Sequence, residues 1–600
     1  MSVQGLGARS CGRSRIGLAV VAGVVLVAGA CRGDEPSAVA PAQHWEGILK
    51  VSPAWQLRMV IHVKTDAAGV QVATLDSPDE GLSGLKLNPF TLDRSTLAFE
   101  LKITQGKYEG KLNAEGTEAV GTWSQRGASF PLTFRPTAKP SVMPKLAGPA
   151  QIWEGKIEIQ AGLALRVALH VGKDASGNLM ATFDSLDQGA KGLKVDSVTL
   201  DRSRLTFEMK RILGKFEGTL NKEGTEAKGT WTQSGAKLPL TLKRADKVTE
   251  LRRPQTPKPP FPYKSVNVTY PNTAAGITLA GTLTIPAGEG PFPAVILISG
   301  SGSQDRDETI FEHRPFAVLA DMLTRRGVAV LRVDDRGVGG TTGSPAKATT
   351  DDFAGDVQAG ITFLKTRPEI NAHKIGLMGH SEGGIIAPLV ATRSKDVAFI
   401  VLLAGTGLPG DEIISLQARA IGLVMVGKDK EKLSALEKNL EFSKRLRAVV
   451  KTETDEKKAE AKMKALIDEL KASLPDAERK ELNDAQGLVD AQLKAVRSPW
   501  SRFFLTYDPR PALTRVRCPV LAVIGEHDLQ VPPRENLAEI RKALKEGGNY
   551  RVTVKQLPGL NHLFQTSDTG APSDYVKIEE TIAPTALKEV GDWVVQTVAK

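Results

Sequence analysis

Two regimes of hydrophobic patterning divide the chain. Between His44 and about Arg244, apolar residues alternate with other residues over short runs. Leu57, Met59, Ile61 and Val63 form one such run, and Leu163, Leu165, Val167, Leu169 and Val171 another. A period of two belongs to strands with one buried face. Turn-forming stretches such as Asp66–Gly69 and Asn113–Gly116 separate the runs. From Tyr263 the apolar runs become continuous (AVILISG, VAVLRVDD, KIGLMGHS, FIVLLAG), with helical stretches near Phe316–Arg325 and Phe353–Lys365 between them. Unbroken apolar strands between helices predict a parallel sheet covered on both faces. Between about Leu408 and Val496 the chain is rich in Lys, Glu, Ala and Leu and reads as helix, and strands resume at PVLAVIG and RVTVKQL. A helical insertion therefore interrupts an α/β domain.

The alternating region is a duplication. HWEGILKV at His44 returns as IWEGKIEI at Ile152, ATLDSPDEGLSGLKL at Ala73 as ATFDSLDQGAKGLKV at Ala181, and YEGKLNAEGTEAVGTW at Tyr108 as FEGTLNKEGTEAKGTW at Phe216. Trp45 pairs with Trp153, Trp123 with Trp231 and Asp76 with Asp184, all at one offset. Each copy, 44–136 and 152–244, predicts about eight short strands, enough for a small barrel or sandwich but not for a propeller, which needs about four blades. The four tryptophans suit core positions. Proline-rich stretches, Pro136–Pro149 and Arg253–Pro262, read as extended linkers around the second copy.

Composition adds bounds. Six hundred residues exceed one hydrophobic core. A 41% apolar and 24% charged content is that of a globular chain. The net charge of +11 is dispersed, without the basic stripe and aromatics of a nucleic-acid surface. At the start, Arg9, Arg13 and Arg15 precede an apolar run from Ile16 to Ala30, a signal-peptide pattern over residues 1–31. It ends Ala28-Gly29-Ala30-Cys31, which resembles a bacterial lipobox with Cys31 as the lipidated residue. Ala28 departs from the usual Leu or Val, and the same letters suit ordinary signal-peptidase cleavage. The expectation is an exported, membrane-anchored envelope lipoprotein, with a soluble periplasmic or secreted form as the alternative. Cys11 lies in the leader and Cys31 at the anchor, so Cys518 is left alone and no internal disulfide is expected.

The chemistry concentrates at Gly379-His380-Ser381-Glu382-Gly383, followed by Gly384. An apolar strand precedes it and a helical run follows. That context is what a nucleophile elbow requires, because a strained strand-to-helix turn lifts the serine oxygen above the sheet. Residues 263–600 resemble the α/β-hydrolase superfamily, in particular its bacterial esterase-like members. Five further blocks carry the resemblance: ISGSGSQDRD at Ile298, VLRVDDRGVGGTTG at Val330, SPWSRFFLTYDPRPAL at Ser498, VIGEHDLQVP at Val523 and LPGLNHLFQ at Leu557. The resemblance implies an α/β hydrolase fold with a helical cap at about 408–496, and a chain order of nucleophile, acid, base. Ser381 is then the nucleophile. His562, the one histidine of eight that follows Asp528, is the base. Asp528 is the acid, with Glu526 as its competitor. The oxyanion hole takes the backbone N–H of Glu382 and, by resemblance, that of Ser301, with Gly302 as the alternative.

Asp305-Arg306-Asp307 and Asp334-Asp335-Arg336 read as structural ion pairs, and the Lys/Glu runs of the insertion as solvated helix faces. No metal-ligand spacing is present, so neither metal nor cofactor is expected. Ester hydrolysis through an acyl-enzyme is the leading expectation, on a small-molecule ester. Peptide hydrolysis with the same triad is the alternative. A third reading is an envelope binding protein with an inactive hydrolase domain. The β modules are expected either to bind a ligand of their own or to pack on the catalytic domain.

Overall fold

The computed structural model describes residues 43–600 apart from short stretches, chiefly turns of the β modules, the segment around 141–149 and parts of 477–485. The leader, Cys31 and the Asp66–Gly69 turn lie outside the described residues.

Each β module is a nine-stranded antiparallel meander, the first from Gln43–Ser52 to Ala128–Thr137 and the second from Gln151–Gln160 to Ala236–Ala245. The first and last strands pair with each other, so the sheet's free edges fall in the middle of the copy, at its fourth and fifth strands. The expectation of about eight strands fell one short. The shortest strand, Phe90–Leu92 in one copy and Ser197–Leu200 in the other, is only three or four residues long. The duplication holds down to register: Trp45 faces Ile61 as Trp153 faces Leu169, and Tyr108 faces Trp123 as Phe216 faces Trp231. Trp45, Trp123, Trp153 and Trp231 are all buried in the two cores. Each copy also pins His to Asp across neighbouring strands, His62 to Asp76 and His170 to Asp184, both at 2.9 Å.

The remainder, Leu251–Lys600, forms a separate compact unit. Its strands are β1 (Lys264–Asn272), β2 (Ile277–Ile285), β3 (Phe292–Ile298), β4 (Ala329–Val333), β5 (Ile370–His380), β6 (Val397–Leu403), β7 (Val520–Gly525) and β8 (Val552–Leu557). They lie in the order β1-β2-β4-β3-β5-β6-β7-β8, with β2 antiparallel to both its neighbours, β1 and β4, and the remaining pairs parallel. The continuous apolar runs have the expected cause, since alternate residues serve two cores. Ile296, Leu377 and Ile400 meet helices α2 (Thr350–Lys365) and α3 (Gly383–Ala391) on one face. Val295, Leu297, Met378 and Val401 meet α1 (Pro315–Arg325) and the C-terminal helix Pro584–Ala599 on the other. A box of Thr349 and Asp352, each bonding the other's backbone amide, starts α2.

Among the described residues between β6 and β7, the chain leaves the sheet for the helices α4 (Gly410–Val426), α5 (Lys430–Thr452), α6 (Glu456–Ser473), α7 (Gln486–Val496) and α8 (Pro499–Thr506), all before the short helix Arg510–Leu513 that precedes β7. Their own small core gathers Val450, Met463, Ile467, Val489, Leu493 and Leu505. The insertion thus runs past the expected Val496 to include α8, which Ser498 caps and Pro499 opens.

The proline-rich stretch before β1 is not a bare spacer. The Arg253 guanidinium donates to the carbonyls of Phe311, Val576 and Ile578, and the Gln255 amide bonds the backbone of Thr581 and Ile582. Composition signals an extended chain, and extended chain is also what docks well by its side chains.

Candidate active site

Ser381 follows β5, Asp528 follows β7, and His562 follows β8. The glycine-rich loop Ser299–Ser303 follows β3. All four strands are parallel, so their C-terminal ends deliver these residues to one edge of the sheet, where open α/β sheets place their sites. Ser381 has φ 53°, the left-handed region that a side chain enters only under constraint. The turn closes because its glycines admit contacts no Cβ would tolerate: a Cβ on Gly379 would lie 1.9 Å from the Gly383 carbonyl oxygen, and one on Gly383 2.2 Å from that of Ile298. The Ser381 amide donates to the Leu403 carbonyl at 2.8 Å, tying the turn to β6.

His562 Nδ1 lies 2.9 Å from Asp528 Oδ2, with both side chains buried. The other Asp528 oxygen accepts the amides of Gln530 and Val531, each at 2.8 Å. The carboxylate is thereby held in one orientation. Glu526 turns elsewhere: its Oε2 accepts the Gly559 amide at 2.9 Å on the surface. Of the two acids weighed from the sequence, Asp528 meets the histidine. His527 bonds the Ser567 carbonyl and stands outside the pair.

Ser301 is exposed on the loop after β3, and Gly302 beside it has φ 107°. Neither the Ser301 amide nor that of Glu382 takes part in the turn and loop hydrogen bonds among the described residues. The Gly300 amide is committed, donating to Glu308 Oε1 at 2.6 Å. The side chain of Glu382 is buried beside the nucleophile. Its Oε1 accepts from Thr350 Oγ1 at 2.6 Å and from the indole N–H of Trp500 at 2.8 Å. Burial pushes its carboxyl above the usual range, against the pull of these bonds and one from Ser301. Trp500 lies in the first turn of α8, so the helical insertion reaches the elbow through this contact.

The charged blocks around the site are paired. Arg306 bonds Asp334 at 2.5 Å, Arg332 bonds Asp307, and Arg336 bonds Asp356 at 2.6 Å. Asp335 accepts from Ser299 Oγ and the Gln304 amide, both at 2.9 Å. Burial, reinforced by the nearby Glu382 and Glu308 charges, raises its carboxyl to about 8 in spite of those bonds. Among the described residues no group of three or more His, Cys, Asp or Glu side chains could hold a metal ion.

Sequence reasoning passed over three residues that touch this site. Trp500 lay in a quoted block without a role. His380 was a letter in the serine motif and Glu308 lay one residue past the block at Ile298, and their contact, Glu308 Oε1 to His380 Nδ1 at 3.0 Å, joins positions 72 apart. The signal available was His380's place next to the nucleophile in an otherwise apolar strand.

Residues 312–567 match the family described as Hydrolase_4: Serine aminopeptidase, S33. Esterase EstD of Thermotoga maritima is 25% identical over 320 residues, 53% of this chain and 66% of that one. Acyl-coenzyme A thioesterase 3 of Mus musculus is 26% identical over 133 residues, 21% of this chain and 26% of that one. The chain therefore spans less than two thirds of either relative. Among solved structures, the α/β hydrolase GrgF from Penicillium is 19% identical, covering 57% of this chain and all of that one, with a TM-score of 0.34. An esterase of Pyrococcus furiosus is 18% identical, covering 56% and 91%, with a TM-score of 0.33. The sheet order, the elbow and the family match together support an α/β-hydrolase fold of the serine-hydrolase type for Leu251–Lys600.

Proposed function

We propose that the protein hydrolyses carboxylic esters through an acyl-enzyme, with Ser381 as nucleophile, His562 as base and Asp528 as the acid. The observation that carries this reading is the buried 2.9 Å bond between His562 Nδ1 and Asp528, on the sheet edge that also bears the strained Ser381. That bond commits the Nδ1 proton to the carboxylate and leaves Nε2 to take the serine proton. Ser381 Oγ then attacks the acyl carbon. The developing oxyanion is held by the amides of Glu382 and Ser301. Collapse breaks the ester C–O bond as His562 returns the proton to the departing alcohol. Water repeats the sequence on the acyl-enzyme and releases the acid.

Peptide hydrolysis is the second reading, favoured by the family description that the match carries. An aminopeptidase needs a carboxylate ready for the substrate's amine. The one nearest the nucleophile, Glu382, is engaged by Thr350 and Trp500. Esters also offer better leaving groups than amides. Purified protein should turn over p-nitrophenyl acetate or butyrate with a higher kcat/KM than aminoacyl-anilides, and Ser381→Ala should abolish the turnover. A higher kcat/KM on an anilide would select the peptidase.

For localisation we propose lipid anchoring at Cys31, supported by the sequence pattern alone. No described helix is long and apolar enough to cross a membrane. Cys31→Ser should move the protein from the membrane to the soluble fraction, and a wild type already soluble would favour plain cleavage.

A further inference from the structure

Behind the proposed triad lies a second buried histidine–carboxylate pair that the reaction scheme leaves unused. His380, immediately before the nucleophile, is 7% exposed, and Glu308, on the loop after β3, is 6% exposed. His380 Nδ1 lies 3.0 Å from Glu308 Oε1, and Nε2 lies 3.1 Å from the backbone carbonyl oxygen of His562. A peptide carbonyl only accepts, and so does an ionised carboxylate. A neutral imidazole has one N–H and would set a bare lone pair against oxygen at one end. Both contacts are satisfied together when both ring nitrogens carry protons.

Glu308 is built for the anionic partner. The same Oε1 accepts the Gly300 amide at 2.6 Å, and amide donors favour the charged carboxylate. Its backbone is held at φ 52°, and Phe311 and Glu312 in the same loop have φ 49° and 62°. Non-glycine residues stay there only when their surroundings enforce it. Gly300 is wedged between the partners: a Cβ there would lie 3.2 Å from both Glu308 Oε1 and Ser381 Cβ. One side chain thus joins the oxyanion loop, the elbow and the histidine loop.

We infer that His380 is a buried imidazolium, paired with Glu308, whose Nε2–H grips the His562 carbonyl and so positions the catalytic base. This rests on the reading of His562 as base. The ring of His562 hangs from the backbone that His380 fixes, and the two rings sit 4.8 Å apart. His380 touches no reacting atom and is a positioning residue. The titratable groups that bear on it come from four loops: Glu308 after β3, Asp335 behind Glu308 after β4, Asp528 after β7 and His562 after β8. Glu382 follows on its own element. Burial opposes the charge on His380. The Glu308 carboxylate outweighs burial, with help from the His562 carbonyl and Asp528, and raises the histidine above its ordinary value. The grip therefore persists to higher pH than an ordinary histidine's charge would and is lost on the alkaline side, as the second proton leaves. Deprotonation of His380 should give an alkaline limb of kcat/KM.

The test uses ester turnover by the full chain, after loss of activity in Ser381→Ala has established the nucleophile independently. His380→Gln keeps a donor at the Nε2 position but cannot titrate, whereas His380→Asn places its amide near Nδ1 only. His380→Asn should lose about tenfold to a hundredfold in kcat, the scale of a small misplacement of a catalytic group, with KM nearly unchanged. His380→Gln should recover most of that loss and show no alkaline limb. Glu308→Gln, nearly isosteric, should keep the fold and move the alkaline limb to lower pH. The inference is overturned by a His380→Asn enzyme as active as wild type. It is equally overturned by an alkaline limb that stays in place in both His380→Gln and Glu308→Gln.

Discussion

Asp528→Asn is the substitution whose outcome the geometry dictates most closely. One carboxylate oxygen accepts two backbone amides at 2.8 Å, from Gln530 and Val531, and the other meets His562 Nδ1 at 2.9 Å. An asparagine must keep its carbonyl oxygen on the two amides, since its NH2 cannot accept from them. The NH2 group is then turned toward His562 and donates where the carboxylate accepted. His562 is forced to present a bare Nδ1 and to carry its proton on Nε2, where it cannot take one from Ser381. This wrong-tautomer effect lowers kcat by about 10⁴-fold, or about 5 kcal/mol of transition-state stabilisation. The variant should melt near the wild-type temperature, because its hydrogen bonds are replaced one for one. Initial rates on p-nitrophenyl butyrate, with circular-dichroism melting as the control for folding, measure both quantities. Glu526→Gln is the paired control: its surface bond to Gly559 survives as a carbonyl acceptor, so the rate should change by only about two- to threefold. A folded Asp528→Asn within tenfold of wild type, or a larger loss in Glu526→Gln, would refute the assignment of the acid.

Other consequences are open to direct measurement. Trp500→Phe removes the indole donor that joins α8 to Glu382 and leaves a buried acceptor short of a partner, a cost of about 1–3 kcal/mol. KM and the ranking of esters by chain length should change more than the rate of fluorophosphonate labelling, and an unaltered ranking would separate the insertion from substrate choice. Asp335→Asn should flatten the pH dependence of stability. The folded carboxyl holds its proton up to about 8, so its contribution is fully present below the ordinary carboxylate range and is lost as pH rises through about 8. Melting curves between pH 5 and 9 that run parallel for variant and wild type would contradict this. A fragment beginning at Leu251 should melt about 10 °C higher than one beginning at Tyr263. The longer fragment keeps the Arg253 and Gln255 bonds, at about 1 kcal/mol for each. Equal melting temperatures would make that docking energetically idle.

What could be read from the sequence followed from local signals. The duplication was plain because its blocks return at one offset, and the structure keeps even their cross-strand partners. The parallel sheet was plain because strands such as Val397–Leu403 are apolar at every position when both faces are covered. The positions of Asp528 and His562 came from chain order within a resemblance, and their hydrogen bond could only come from coordinates. Other features left no local trace. The three-residue strand Phe90–Leu92 offers too few positions for an alternation to stand out from its surroundings. Arg253 and Gln255 sat in a stretch whose prolines masked their docking. Glu308 and His380 meet because β3 and β5 are neighbours in a sheet whose order departs from chain order, with β4 displaced to the far side of β3.

The central claim is that Ser381 forms a covalent acyl-enzyme. It is tested most directly by treating the purified full-length protein with a fluorophosphonate, digesting it and locating the adduct by mass spectrometry. One equivalent of label should appear on the peptide carrying Gly379-His380-Ser381-Glu382-Gly383, attached to Ser381 and absent from Ser381→Ala. A folded protein that takes up no label, or that takes it up at another residue, would contradict it.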